Sequence, residues 1–162
     1  GTILFDKIEI MDQESLKSFV TGLCKEAVFT NNKQFTEAII PFSKLHEVAA
    51  ALKSSAETHF DFLFNQTGVD IKNELGVIYH LRSTDLGHTI VIRVFTSDRQ
   101  NPAIDSVSDI WRTAEYAERE IFDLFGIHFN NHPDLRTIFL EDDFQGFPLR
   151  KDFVDEINMI QK

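Results

Sequence analysis

The sequence predicts an α+β domain of two layers, helices packed on a mixed five-stranded sheet, followed by an extended C-terminal tail. Three observations carry this. Apolar residues recur at helical spacing in three separate stretches, short runs rich in Val, Ile, Phe and Thr lie between them, and the resulting order is helix, two strands, helix, three strands, helix. At 162 residues and 43% hydrophobic content, the chain is long enough for one domain with a real core. No linker, internal repeat, Gly-rich phosphate loop or low-complexity segment interrupts the sequence. The expected division is therefore a compact domain over 1–126 and a tail over 127–162.

Asp12 is placed to cap the first helix, because Leu16, Phe19, Val20 and Leu23 follow at core spacing and the run closes near Gly22 to Lys25. A strand pair is expected over Glu26–Thr30 and Gln34–Ile40, joined by the turn residues Asn31, Asn32 and Lys33. Pro41 stops the second strand, and Ser43 can cap a helix to about Lys53 with Leu45, Val48, Ala49 and Leu52 on its apolar side. The period then drops to two. Phe60, Phe62 and Phe64 alternate with Asp61 and Leu63; Leu75, Val77, Tyr79 and Leu81 follow; Ile90, Ile92 and Val94 come after a turn at Ser83 to His88.

The last helix is read from a Ser106 cap, with Asp109 at the third helical position, to a left-handed C-terminal cap at Gly126. Its apolar side is Ile110, Ala114, Ala117, Ile121, Leu124 and Phe125. Glu115/Arg119 and Arg119/Asp123 are spaced to bridge along its surface, at about 0.2 to 0.5 kcal/mol each. From Ile127 onward no period persists, yet Phe129, Phe139, Phe144, Phe147 and Phe153 stand beside Arg136, Arg150 and Lys151. Disordered tails are poor in aromatics, so this one is expected to bury them on a partner protein, at roughly 1.5 to 3 kcal/mol per Phe.

A formal net charge of -10 argues against a nucleic-acid binder, which needs concentrated Lys and Arg. All seven Arg lie between Arg82 and Arg150, which makes the second half the expected contact half, since a planar guanidinium suits ordered pairing with carboxylates. Cys24 is the single cysteine. It excludes a disulfide framework and a Cys-ligated iron-sulfur cluster, and reads as a buried, inert thiol. No apolar run approaches the roughly 20 residues of a membrane span and no secretory signal is present, so a reducing compartment is expected. Gly1 is not an initiating residue, so the natural start is expected to be processed or to lie upstream.

Glu118 and Glu120 invite an acid/base reading, but residues two apart on a helix point about 200° apart and cannot share one substrate. Ion pairing with arginines, in this chain or a partner, is the expected role. His128 and His132 have H-x3-H spacing, yet Gly126 has just ended the helix and Asn130, Asn131 and Pro133 favour a turn, so no metal site is expected there. Glu141, Asp142 and Asp143 read as a solvated loop rather than a hard-cation site. No catalytic, cofactor-binding or metal-ligating residue is assigned.

Three blocks then resemble a known family. They are E-R-E-I-F-D-L-F-G-I (Glu118 to Ile127), H-P-D-L-R (His132 to Arg136) and G-F-P-L-R-K-D-F (Gly146 to Phe153). In this order and spacing they resemble the C-type subunit, the small hydrophilic peripheral-arm subunit of NADH:quinone oxidoreductase, respiratory complex I. The stretch His59 to Ile71 also resembles a strand and loop of that family. The chain departs from the family pattern at Phe147, where His is usual, and at Asp142 and Asp143, where an aromatic and a glycine are usual.

The resemblance implies a non-catalytic structural subunit with no flavin, cluster or quinone site of its own; the parent complex carries FMN and iron-sulfur clusters on other subunits. Its implied partners are the large quinone-site subunit and neighbouring iron-sulfur subunits. The implied interface residues are Glu118, Arg119, Glu120, Asp123, His132, Arg136, Phe139, Phe147, Pro148, Leu149, Arg150, Lys151, Asp152 and Phe153. The implied location is the cytoplasmic face of a bacterial inner membrane or the matrix side of the mitochondrial inner membrane. The equivalent subunit of a membrane-bound hydrogenase or related cofactor-oxidising complex is the closest alternative. A free-standing small hydrolase using His128, His132 and nearby acids is the distant one.

Overall fold

A computed structural model describes residues 11–135. Helix α1 (Gln13–Leu23) starts where the sequence places it: the Asp12 carboxylate accepts the Ser15 amide at 2.8 Å, and Leu16 and Val20 are buried. Strands β1 (Val28–Phe29) and β2 (Thr36–Ile39) follow. The second helix opens with a 3-10 turn over Phe42–Lys44 and continues as α2 (Leu45–Ser54), burying Leu45, Val48, Ala49 and Leu52. Strands β3 (Phe62–Asp70), β4 (Leu75–Arg82) and β5 (Thr89–Thr96) complete a mixed five-stranded sheet in the order β1-β2-β5-β4-β3. Within it, the β2/β5 pairing is parallel and the others antiparallel.

The register decides which residues reach the core. Ala38, Ile92, Tyr79 and Gln66 lie in one row across four strands, and Leu75, Val77, Leu81, Ile90 and Val94 join them, all buried. A bulge between Leu63 and Asn65 in β3 leaves Phe64 unpaired. Leu63 is thereby buried, whereas Phe62 and Phe64 face out, so the alternating phenylalanines of this strand do not serve the core. Phe60, just before the strand, does.

Two sequence expectations are corrected in the last third. The final helix, α3, spans Ala114–Phe125 and does not begin after Ser106. Residues 107–113 form turns, because their capping groups are engaged elsewhere: Ser106 Oγ donates to Glu118, Asp109 meets His46 at 2.8 Å, and Trp111 Nε1 donates to the Phe60 carbonyl at 2.8 Å. The left-handed Gly126 cap is observed, with φ 78° and its N–H on the Phe122 carbonyl.

The second correction concerns the boundary at 127. Ile127 and Phe129 are buried in the same core, and β6 (Ala103–Asp105) pairs in parallel with β7 (His128–Asn130) as a second, two-stranded sheet. The compact domain therefore runs past 126, through at least this strand.

Helix α3 lies against β3 at a close approach that only glycine permits. A Cβ on Gly68 would sit 2.5 Å from the Phe125 ring and 3.1 Å from Ile121. Gly68→Ala is expected to destabilise the domain by about 1 to 3 kcal/mol through overpacking, measured by denaturant unfolding. Pairing it with Phe125→Leu should restore part of the loss. Purely additive costs would mean that the two residues do not meet.

Candidate functional site

The motif helix carries a carboxylate inside the domain. Glu118 is 0% exposed, on the stripe with Ala114, Ile121 and Phe125 that faces the sheet. Its Oε1 accepts from Ser106 Oγ at 2.6 Å, and Oε2 accepts from the Val107 amide at 3.0 Å and from Gln66 Nε2 at 3.1 Å. One side chain thus joins α3, β3 and the loop leaving β6. Burial pushes the Glu118 carboxyl above its ordinary range, although these three donors oppose the shift. Burial, and then the nearby Glu118 charge, also hold the Tyr79 hydroxyl well above its usual value, so it stays a neutral phenol.

This overturns the expectation that Glu118 pairs with arginine or meets a partner, because its three partners are neutral and solvent does not reach it. Asp123, 2% exposed, is likewise inside. Arg119, Glu120 and His132 are half-buried. His132 accepts the Asp134 amide at Nδ1 (3.0 Å) and meets the Glu115 carbonyl through Nε2 (2.8 Å). It closes the turn after β7 onto the first turn of α3. His128 is exposed on β7, its ring edge-on to Phe122, so the two histidines do not converge. Arg136, Phe139, Phe147, Pro148, Leu149, Arg150, Lys151, Asp152 and Phe153 lie outside the described residues, as does the Glu141–Asp143 acidic run.

The expected Glu115/Arg119 and Arg119/Asp123 bridges are not among the ion pairs of the described residues. The arginines that pair do so internally. Arg99 grips Asp70 with two bonds of 2.9 and 2.8 Å, and Arg93 pairs with Glu37 across β5 and β2. Cys24 is buried, and burial pushes its thiol up.

The ligand-type cluster among the described residues is His59, Asp61 and Asp85, whose ligand atoms lie within 4.8 Å of one another. Each side chain already fastens a turn. His59 Nδ1 meets Asp85 at 2.8 Å, Ser83 Oγ donates to Asp85 at 2.9 Å, and Asp61 accepts both the amide and the hydroxyl of Thr84. No helix among the described residues is long and apolar enough to cross a membrane.

The geometry defines a class first: a small mixed-sheet domain whose buried acid, Glu118, is engaged in internal hydrogen bonds. The fold is that of a chain in the membrane-bound sulfane sulfur reductase, an archaeal respiratory membrane complex. The TM-score is 0.75, covering 91% of this chain and 88% of that one at 24% identity. The model of the respiratory-chain NADH dehydrogenase 30 kDa subunit family matches residues 38–157. The chain belongs to that family.

Among its relatives, the C/D subunit of NADH-quinone oxidoreductase from Phocaeicola vulgatus is 46% identical over 123 residues, 75% of this chain. The C-type subunit of NADH-quinone oxidoreductase from Neisseria meningitidis serogroup B is 44% identical over 115 residues, 65% of this chain and 58% of its own length. The match spans only 23% of the C/D protein.

Because the folded chain holds the Glu118 proton more tightly than the unfolded chain, this residue's contribution to stability is full at low pH. It falls as pH rises from the ordinary carboxyl range through the raised value. The stability advantage of the native chain over Glu118→Gln should therefore shrink as pH rises above the ordinary carboxyl range, read from denaturant melts of both proteins. An advantage that grows with pH would mean that the carboxylate is stabilised in its charged form.

Proposed function

We propose that this chain is a non-catalytic structural and assembly component of the peripheral arm of a proton-pumping NADH:quinone oxidoreductase. The observation that carries this reading is the family match over residues 38–157, together with a structure whose motif helix directs a fully buried carboxylate to scaffolding hydrogen bonds. Its contribution is to brace neighbouring subunits while electrons pass elsewhere. The single cysteine supports a chain with no iron-sulfur cluster of its own. FMN and clusters would sit on other subunits. Its partners in this reading are the large quinone-site subunit and adjacent iron-sulfur subunits, on the cytoplasmic face of a bacterial inner membrane. The relatives from Phocaeicola and Neisseria are bacterial, which favours this over the mitochondrial matrix.

A second reading, the equivalent subunit of another respiratory membrane complex, is favoured by the shared fold with the archaeal sulfane sulfur reductase chain. The 46% and 44% identities to NADH-quinone oxidoreductase subunits favour the first. Among the described residues the two histidines of the hydrolase reading do not support it, since His128 faces solvent and His132 is held by the Glu115 carbonyl.

The interface in this reading combines Arg119, Glu120 and His132 with the motif residues from Arg136 onward. A tagged full-length chain expressed in its host should co-purify with NADH-oxidising, quinone-reducing activity and remain colourless when isolated alone. Purification by itself, or with a hydrogenase, would reject the first reading. Deleting residues 146–162 is expected to leave a folded domain that no longer enters the complex. Failure of the truncated chain to fold would instead assign that segment to the domain's own stability.

A further inference from the structure

We infer that the groove between the start of β3 and the outward face of α3 is a slot for an arginine or lysine side chain on an extended segment of a neighbouring subunit. This rests on the subunit reading above and gives that interface a chemistry. The groove, about 210 Å³ in volume, is lined by Leu63, Phe64 and Asn65 from β3 and by Tyr116, Ala117 and Glu120 from α3. It exists because of two local features. The β3 bulge turns Phe64 outward, and the hydrogen bond from Thr113 Oγ1 to the Leu63 carbonyl, 3.0 Å, pins the helix start to that bulge.

Two of its lining side chains are aromatic, and Glu120 supplies its carboxylate. Phe64 is 44% exposed and Tyr116 53%, large values for rings of this size, and Phe64 continues a row with Phe62 (6.0 Å) and His80 (5.6 Å). An exposed apolar ring such as Phe64, in a row on the edge strand of a sheet, marks a contact surface. Glu120 is half-buried, and among the described residues no cation or hydrogen-bond donor meets its carboxylate.

A half-buried carboxylate in a groove that two rings also line fits one occupant best. A guanidinium or ammonium group stacks over the rings through their negative faces and pairs with the acid, while its aliphatic stem covers the apolar wall. The chain's net charge of -10 favours the approach of a basic segment. An acidic occupant would be repelled, and a purely apolar one would seal Glu120 away unpaired.

The test places a photo-cross-linking benzoylphenylalanine at Tyr116 of the full-length chain within its native complex. Co-purification of the labelled chain reports on the subunit reading, and the cross-link reports on the slot. The expected product is a cross-link between this chain and a neighbouring one, at a peptide with Arg or Lys within a few residues of the attachment point. Its yield should be retained by Glu120→Asp, reduced by Glu120→Gln and lost with Glu120→Arg. No cross-link to a neighbour, a partner peptide without a basic residue, attachment within the same chain, or indifference to all three Glu120 variants would overturn the slot even if the chain co-purifies. Failure to co-purify would overturn both.

Discussion

A buried carboxylate sets the terms for the second half of this domain. Glu118 has no solvent and no counter-ion in contact, so its stability depends on the donors from Ser106, Val107 and Gln66. An unsatisfied group in that position would cost several kcal/mol, more if charged. Those donors come from different elements, so satisfying the acid fixes where α3 lies relative to β3 and where the chain leaves β6. The Gly68 contact and the Thr113 bond to the Leu63 carbonyl then bring the helix close enough for its outward residues to form a wall with Phe64.

That arrangement explains why one short motif serves both the inside and the outside of the molecule. In E-R-E, Glu118 turns inward, while Arg119 and Glu120 fall on neighbouring, half-buried faces. The i, i+4, i+7 and i+11 positions from Ala114 pack on the sheet, and Thr113, Tyr116, Ala117 and Glu120 line the groove. A rigid inner face is what a brace requires, because a contact surface that is already ordered loses less entropy on binding.

Much of the fold was legible in the residues. Asp12, Pro41 and Gly126 act where local rules place them, and the period-two runs around Tyr79 and Ile92 are the central strands. What local rules could not supply was tertiary competition for capping groups: Ser106 and Asp109 form a plausible capping pair, but the structure commits them to Glu118 and His46. The strand at His128–Asn130 was readable as the alternation Ile127 in, His128 out, Phe129 in; a run of three is too short to stand out unless its partner at Ala103–Asp105 is known. Glu118 left one trace, an acid at core spacing between Ala114 and Ile121. Helical-wheel reasoning treats charge as outward, so the trace reads as a surface residue until the donors opposite it are seen.

The central claim is that the inner face of α3 is fixed by the domain while its outer face awaits a partner. Hydrogen exchange, compared between the full-length chain alone and the same chain within its complex, tests it most directly. Amides of β4 and β5, and the Val107 amide held by Glu118, should be equally protected in both states. New protection should appear in β3 around the Phe64 bulge and along the first two turns of α3. Unchanged exchange at Leu63–Gln66 and Thr113–Glu120, or protection of Val107 gained only on assembly, would contradict the account.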